Sequence, residues 1–285
     1  KNDRISASYD FTYSNSQNTS NKIYILLDCS NSMDVIFRVN DDENNENDED
    51  AVSRWEKAKE FLQYVINGLN DDDEISVILF NDSIDKLFPQ QNLSETKVSQ
   101  FRSSKEYRDL FDGSDNSTYE PSGGTEINQA LFEVFDQMAL DDKLDPTKTG
   151  IILITDDELG GFYNPSELKD ITQRYESKVG FKNNYPALFA VKINDELQSY
   201  NRSCARLIEC FSTEGGLMSQ MKEIDPNTSF IVGINETDKV SKLFNTAFSA
   251  LNSHRVNKLQ GLLTIYATYV QDGIDYFGGD DEHQD

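Results

Sequence analysis

Histidine is nearly absent from this chain of 285 residues. His254 and His283 are the two there are, too far apart in sequence to suggest a catalytic dyad, and His283 falls in a polar tail. Cysteine is scarce as well. Cys29, Cys204 and Cys210 are odd in number, and the last two lie six apart, on different faces of any helix that holds both, so a disulfide framework is not expected. That usage favours a reducing compartment, cytoplasm or nucleus, over a secreted one. Sequons at Asn18, Asn81, Asn92, Asn116, Asn201, Asn227 and Asn235 keep secretion open. A chain so rich in Asn, Ser and Thr produces roughly half as many by chance. No run of 18 apolar residues occurs, so no membrane span is expected. No signal peptide is visible, and a start at Lys1 rather than Met is what a trimmed or processed chain shows.

Positive charge is also in short supply: 26 Lys and Arg stand against 51 Asp and Glu, a formal net charge of −25. Such a surface repels phosphate backbones and anionic headgroups, which argues against nucleic-acid and membrane-surface binding. It suits metal ions or basic protein partners, with solubility as the plainer explanation. A hydrophobic share of 37%, with 17 Phe and 13 Tyr, is enough for a sizeable core.

The apolar residues are arranged in two alternating patterns. Short continuous runs, "IYILL" (23–27), "ISVILF" (75–80), "GIILIT" (150–155), "ALFAVKI" (187–193) and "FIVGI" (230–234), read as strands buried on both faces, with "IDKLF" (84–88) a hairpin partner of the second. Between them lie amphipathic helices. One carries Trp55, Ala58, Phe61, Leu62, Val65, Ile66 and Leu69 on one face behind an N-capping Ser53. Another carries Ile127, Ala130, Leu131, Val134, Phe135 and Met138. Further helices are expected at "NPSELKDITQRY", capped by Asn164 with Pro165 at its first position, at "CARLIECF", and at "TDKVSKLFNTAFSAL". The alternation predicts an α/β fold, a doubly wound, mostly parallel sheet flanked by helices. Residues 1–20 read as an extended lead-in, 21–251 as the domain with an acidic insert at 36–50, and 252–285 as an appended strand ("LLTIYATYV", 262–270) followed by an acidic tail. Residues 89–120 are polar and ambiguous, and "STEGGL" (212–217) reads as a helix-ending glycine turn.

In an open parallel sheet, ligands bind outside the carboxyl ends of the strands. Three polar groups fall there: Asp28, Ser30 and Ser32 after the first strand, Thr125 after Gly123 and Gly124 at a helix entrance, and Asp156 after "IILIT". All offer hard oxygen donors, which fits Mg²⁺, with Mn²⁺ or Ca²⁺ as substitutes, and disfavours zinc. Alternate residues of the loop point the same way, so Asp28, Ser30 and Ser32 face one ion together. With two acidic groups beside it, a divalent ion leaves a net charge of about zero and room for an outside carboxylate.

Here the chain resembles a known family. "DCSNS" matches the DxSxS signature of von Willebrand factor A domains, and "GGT" and "ITDD" match the remaining metal-site segments in order, over roughly residues 21–251. The resemblance implies a Rossmann-like fold with a metal-ion-dependent adhesion site at Asp28, Ser30, Ser32, Thr125 and Asp156. It further implies that the hydroxyls ligate directly or nearly so and the aspartates often through water. Two features depart from the pattern: Asp157 stands where the family usually has Gly, and the acidic insert follows close on Met33. Asp157 and Glu158 read as solvated acids, Cys29 as a small core residue and Trp55 as a core anchor.

The expected function is a non-enzymatic, metal-dependent protein interaction, in which the ion's open position accepts an Asp or Glu carboxylate of a partner. Two alternatives stand beside it. One is a structural scaffold subunit of an intracellular complex, the ion merely steadying loops. The other is an aspartate-based phosphatase with Asp28 as nucleophile and Asp156 and Asp157 holding Mg²⁺. That chemistry wants a carboxylic acid two residues after the nucleophile, where this chain has Ser30.

Overall fold

Residues 20–36, 52–89, 96–111, 119–156, 165–182, 184–193, 202–212, 214, 216–224, 226 and 230–233 are described by the computed structural model. The expected lead-in, the acidic run 41–50, the helix 237–251, the strand 262–270 and the tail lie outside the described residues, as do Asp157, Glu158, Asn164, His254 and His283.

Within them, the apolar runs are the strands of one sheet: β1 (Lys22–Asp28), β2 (Glu74–Phe80), β3 (Ile84–Phe88), β4 (Thr149–Thr155), β5 (Ala187–Lys192) and β6 (Ile231–Gly233). Their order is β3-β2-β1-β4-β5-β6, and every neighbouring pair is parallel except the β2–β3 hairpin. The doubly wound, mostly parallel α/β architecture expected from the alternating pattern is the one observed. Continuous rather than alternating apolar sequence is what the central strands need, because helices cover both faces. Ile25, Leu26, Leu27, Leu153 and Ile154 accordingly have no exposed surface.

The helices are α1 (Arg54–Gly68), α2 (Val98–Ser103), α3 (Lys105–Phe111), α4 (Ile127–Met138), α5 (Pro165–Val179), α6 (Arg202–Phe211) and α7 (Leu217–Ile224). Helix α1 starts where expected: the Ser53 hydroxyl accepts the Glu56 N–H at 3.1 Å, satisfying one of the donors a helix start leaves open. Its far end is closed by a residue from elsewhere. Arg102 of α2 donates through Nη2 to the carbonyls of Ile66 (2.6 Å) and Leu69 (2.9 Å). In α4 the six positions read as one apolar face are all buried. Phe135 meets Tyr175 of α5 edge-on at 5.3 Å between ring centroids, and Phe211 of α6 lies 6.3 Å away. Right-handed crossovers place α1 and α4 on opposite faces of the sheet. The hydrogen bond from the Ser76 hydroxyl in β2 to Gln137 of α4 (2.8 Å) belongs to the α4 face.

Two stretches differ from expectation. The polar segment 89–120 contains α2 and α3, with Val98, Phe101 and Leu110 buried against the core. The turn after α6 does end that helix, but α7 follows at once and buries Met218 and Met221.

The topology locates the site. From β1 the chain winds outward through β2 and β3, then returns across the sheet to β4 and winds the other way. The strand order therefore reverses between β1 and β4, where a crevice opens at their carboxyl ends. Leu27 pairs with Ile154 in the register, so Asp28 and Thr155 leave the sheet side by side.

Candidate metal centre at the ends of β1 and β4

Asp28 closes β1 with no exposed surface. Its Oδ1 accepts the Ser30 N–H at 2.9 Å and its Oδ2 the Thr155 hydroxyl at 2.6 Å, so both oxygens are oriented. Burial pushes the Asp28 carboxyl up to about 6; the hydrogen bonds from Thr155 and Ser30 oppose that rise, and the nearby Asp156 carboxylate adds to it. Ser30 is almost wholly buried, and its hydroxyl lies 3.1 Å from that of Ser32. The alternate positions of the loop thus converge as their spacing suggests, before a 3-10 turn, Asn31–Asp34, carries the chain away.

The glycine-rich loop is stitched to this one by its backbone. Ser122 N–H donates to the Cys29 carbonyl (2.8 Å), and Asn31 N–H donates to the Gly123 carbonyl (3.1 Å). On its other side Glu126 N–H donates to the Asn81 carbonyl at 2.8 Å. Gly123 has φ of +73°, a conformation that favours glycine, and a Cβ there would lie 2.6 Å from Oδ1 of the exposed Asp82 side chain, which would have to move aside. Thr125, half-buried, follows two residues on, just before α4.

Asp156 is 1% exposed and sits directly after β4. Its partner is a residue the sequence reading left out. The guanidinium of Arg54, first residue of α1, donates through Nη1 to Asp156 Oδ2 at 3.0 Å and reaches the Ser32 carbonyl at 3.4 Å, with 8% of its side chain exposed. Arg54 stands four residues before Ala58 on the stripe that continues through Leu62 and Val65, so a cation in register with a buried face was the available signal. Thr155 is hidden for the opposite reason: it reads as the last residue of a buried strand. Cys29 behaves as expected. It is buried, its Sγ lies 3.3 Å from the Glu120 carbonyl, and burial pushes its thiol up to about 12, which leaves it protonated and unreactive.

Asp28, Ser30, Ser32 and Asp156 therefore share one crevice, and the loop carrying Thr125 is bonded to its edge. Among the described residues no three His, Cys, Asp or Glu side chains cluster in a way that could hold a metal; the candidate consists of two carboxylates and hydroxyls. That donor set fits a hard cation, and a cation would relieve the cost of ionising Asp28 in a dry site. Asp156 fits on one condition, that the Arg54 guanidinium yields or shares its Oδ2. Arg54 also sets a positive charge beside the two carboxylates, one that the expected balance of about zero does not include. A groove of about 890 Å³ lies between α4 and α5, lined by Asn128, Glu167, Arg174 and Lys178 among others.

Residues 23–159 match the model of the von Willebrand factor type A domain. No curated protein matches the sequence. Among solved structures, the chain is similar to a von Willebrand factor type A protein from Catenulispora acidiphila (16% identity, 82% of this chain and 42% of that one, TM-score 0.46). It is also similar to the manganese-loaded TRAP protein of Plasmodium vivax (20% identity, 77% and 71%, TM-score 0.43). A third is the protein BatB of Bacteroides thetaiotaomicron (17% identity, 61% and 66%, TM-score 0.39). The chain spans less than half of the Catenulispora protein and just under two thirds of BatB. Among the described residues, no helix is long and apolar enough to cross a membrane.

Proposed function

We propose, from the match of residues 23–159 to the von Willebrand factor type A domain, that this protein binds a partner protein through a divalent cation held by Asp28, Ser30, Ser32, Thr125 and Asp156. Domains of this family commonly mediate metal-dependent protein interactions. One observation carries the reading: Asp28 and Asp156, both buried, meet the paired hydroxyls of Ser30 and Ser32 at the crevice where the strand order reverses.

Each part of the chain has a task in this arrangement. Thr155 and the Ser30 N–H fix the Asp28 carboxylate so that it presents lone pairs without reorganising. The Ser30 and Ser32 hydroxyls supply neutral donors, which keep the negative charge around the ion low. The bound cation, Mg²⁺ or in its place Mn²⁺ or Ca²⁺, supplies a concentrated positive charge for an incoming Asp or Glu carboxylate. On a chain of net charge −25, that local excess is what lets an acidic partner approach. The reading includes no turnover: Ser30 stands where an aspartate-based phosphatase needs its general acid, and a serine hydroxyl does not protonate a leaving group near neutral pH. The three cysteines, odd in number, favour a reducing compartment for this interaction over a secreted one.

Calorimetric titration of the protein with Mg²⁺ and Mn²⁺ tests the metal. Saturable binding lost in both Asp28→Ala and Thr125→Ala is the expected result; heats identical in all three proteins would overturn the reading. Partner capture with and without chelator then separates adhesion from scaffolding, since a scaffold keeps its partner when the ion is stripped.

A further inference from the structure

We propose that Arg54 is a tethered competitor for the cation: its guanidinium holds the site together while no metal is bound, and loading requires it to give up Asp156. The inference rests on the metal reading above and goes beyond it by assigning what sets the affinity.

Two carboxylates with almost no exposed surface cannot stand side by side uncompensated, because each is desolvated and each repels the other. Neutral donors serve Asp28. Asp156 has the guanidinium at 3.0 Å. The same Nη1 reaches the Ser32 carbonyl at 3.4 Å, so Arg54 ties Asp156, from β4, to the backbone of the loop that carries Ser30 and Ser32. It links the parts that an ion would link. A divalent cation coordinated by Asp156 would lie within a few ångströms of a fixed positive charge, an arrangement that favours displacement of one by the other.

Displacement does not require α1 to move. The Arg54 N–H is bonded to the Val35 carbonyl at 2.9 Å, and Ser53 bridges to Ile36, so the helix start is anchored through its backbone while the side chain swings. Arg54 thus preforms the site, and loading exchanges one cation for another. If the state with Asp156 released is about a tenth populated, the apparent metal affinity is about tenfold below the intrinsic one.

Arg54→Gln keeps hydrogen-bonding capacity and removes the charge. Titrated with Mn²⁺ by calorimetry, it is expected to bind roughly tenfold more tightly than the wild type. In chelator it is expected to melt at a lower temperature, and the difference should close or reverse at saturating Mn²⁺. Arg54→Lys keeps the charge but loses the planar fork, and is expected to fall between the two. Affinity in Arg54→Gln equal to or weaker than wild type, with Asp28→Ala still abolishing binding, would overturn this inference and leave the metal reading standing. No binding and no melting response in wild type and Arg54→Gln alike would overturn both. Should Arg54→Gln fail to fold, Arg54→Lys decides: tighter Mn²⁺ binding than wild type supports the inference, and unchanged or weaker binding defeats it.

Discussion

Asp28 and Asp73 are both buried carboxylates at the edge of the same sheet, Asp28 at the carboxyl end of β1 and Asp73 just before the amino end of β2. Their surroundings differ. Asp73 accepts four hydrogen bonds, from the backbone and side-chain nitrogens of Asn21 (3.0 and 3.3 Å) and of Asn70 (3.1 and 3.0 Å). All four donors are neutral, and they saturate the carboxylate. Asp28 is served by the Thr155 hydroxyl and by the backbone and side chain of Ser30, has a second carboxylate for a neighbour, and has its carboxyl pushed up to about 6. The amino end solves carboxylate burial permanently, with amides. The carboxyl end leaves it partly unsolved, so that a cation has something to gain by entering. The difference separates a structural acid from a ligand-binding one in the same fold.

The largest effect should come from breaking the saturated end. Asp73→Ala strands the Asn21 donors, which are themselves buried, and loosens the entry to both β1 and β2. A loss of about 3 to 5 kcal/mol is expected from urea midpoints, since each buried donor left without an acceptor costs its desolvation. A loss under about 1 kcal/mol would mean that water replaces the carboxylate and the contrast is false.

Asp28 should respond with the opposite sign. A carboxyl near 6 in the fold and near its ordinary value in the unfolded chain binds its proton more tightly when folded. Asp28 therefore contributes stability that is fully present below about pH 4 and is lost as the pH rises through about 6. Asp28→Asn, a fixed mimic of the protonated form, should match the wild type near pH 4. In chelator at pH 7 it should be more stable by on the order of 2 to 3 kcal/mol. Saturating divalent cation should reverse the order, because only the wild type gains binding free energy. A difference in chelator that does not change with pH would show that Asp28 does not titrate in this range.

What was legible in the sequence divides along the same lines as this contrast. Strands β1, β4 and β5 announce themselves because burial on both faces demands unbroken apolar runs, and α1 and α4 because their lengths allow three turns or more of periodicity. The position of Asp28 and Asp156 at strand exits follows from those boundaries. Helices α2 and α3, six and seven residues long, are too short for a period to emerge from polar surroundings. Arg102 illustrates the difficulty: it reads as a surface charge, yet it closes the end of α1. Arg54 is concealed in the same way. Its burial depends on Asp156, 102 positions away, and only the register of β1 against β4 brings the pair together.

The smallest expected effect tests whether the two ends communicate through α1. Ser53 caps that helix through the Glu56 N–H, and its backbone bridges Ile36 beside the site loop. Ser53→Ala removes the hydroxyl and keeps the bridge, so it should cost about 1 kcal/mol, the usual worth of such a cap. Because the Arg54 N–H remains bonded to the Val35 carbonyl, the guanidinium keeps its place against Asp156. Metal affinity measured by calorimetry should then be unchanged while the urea midpoint falls. A parallel change in affinity would mean that the helix start itself moves on loading, and that the anchoring at Val35 and Ile36 yields along with the side chain.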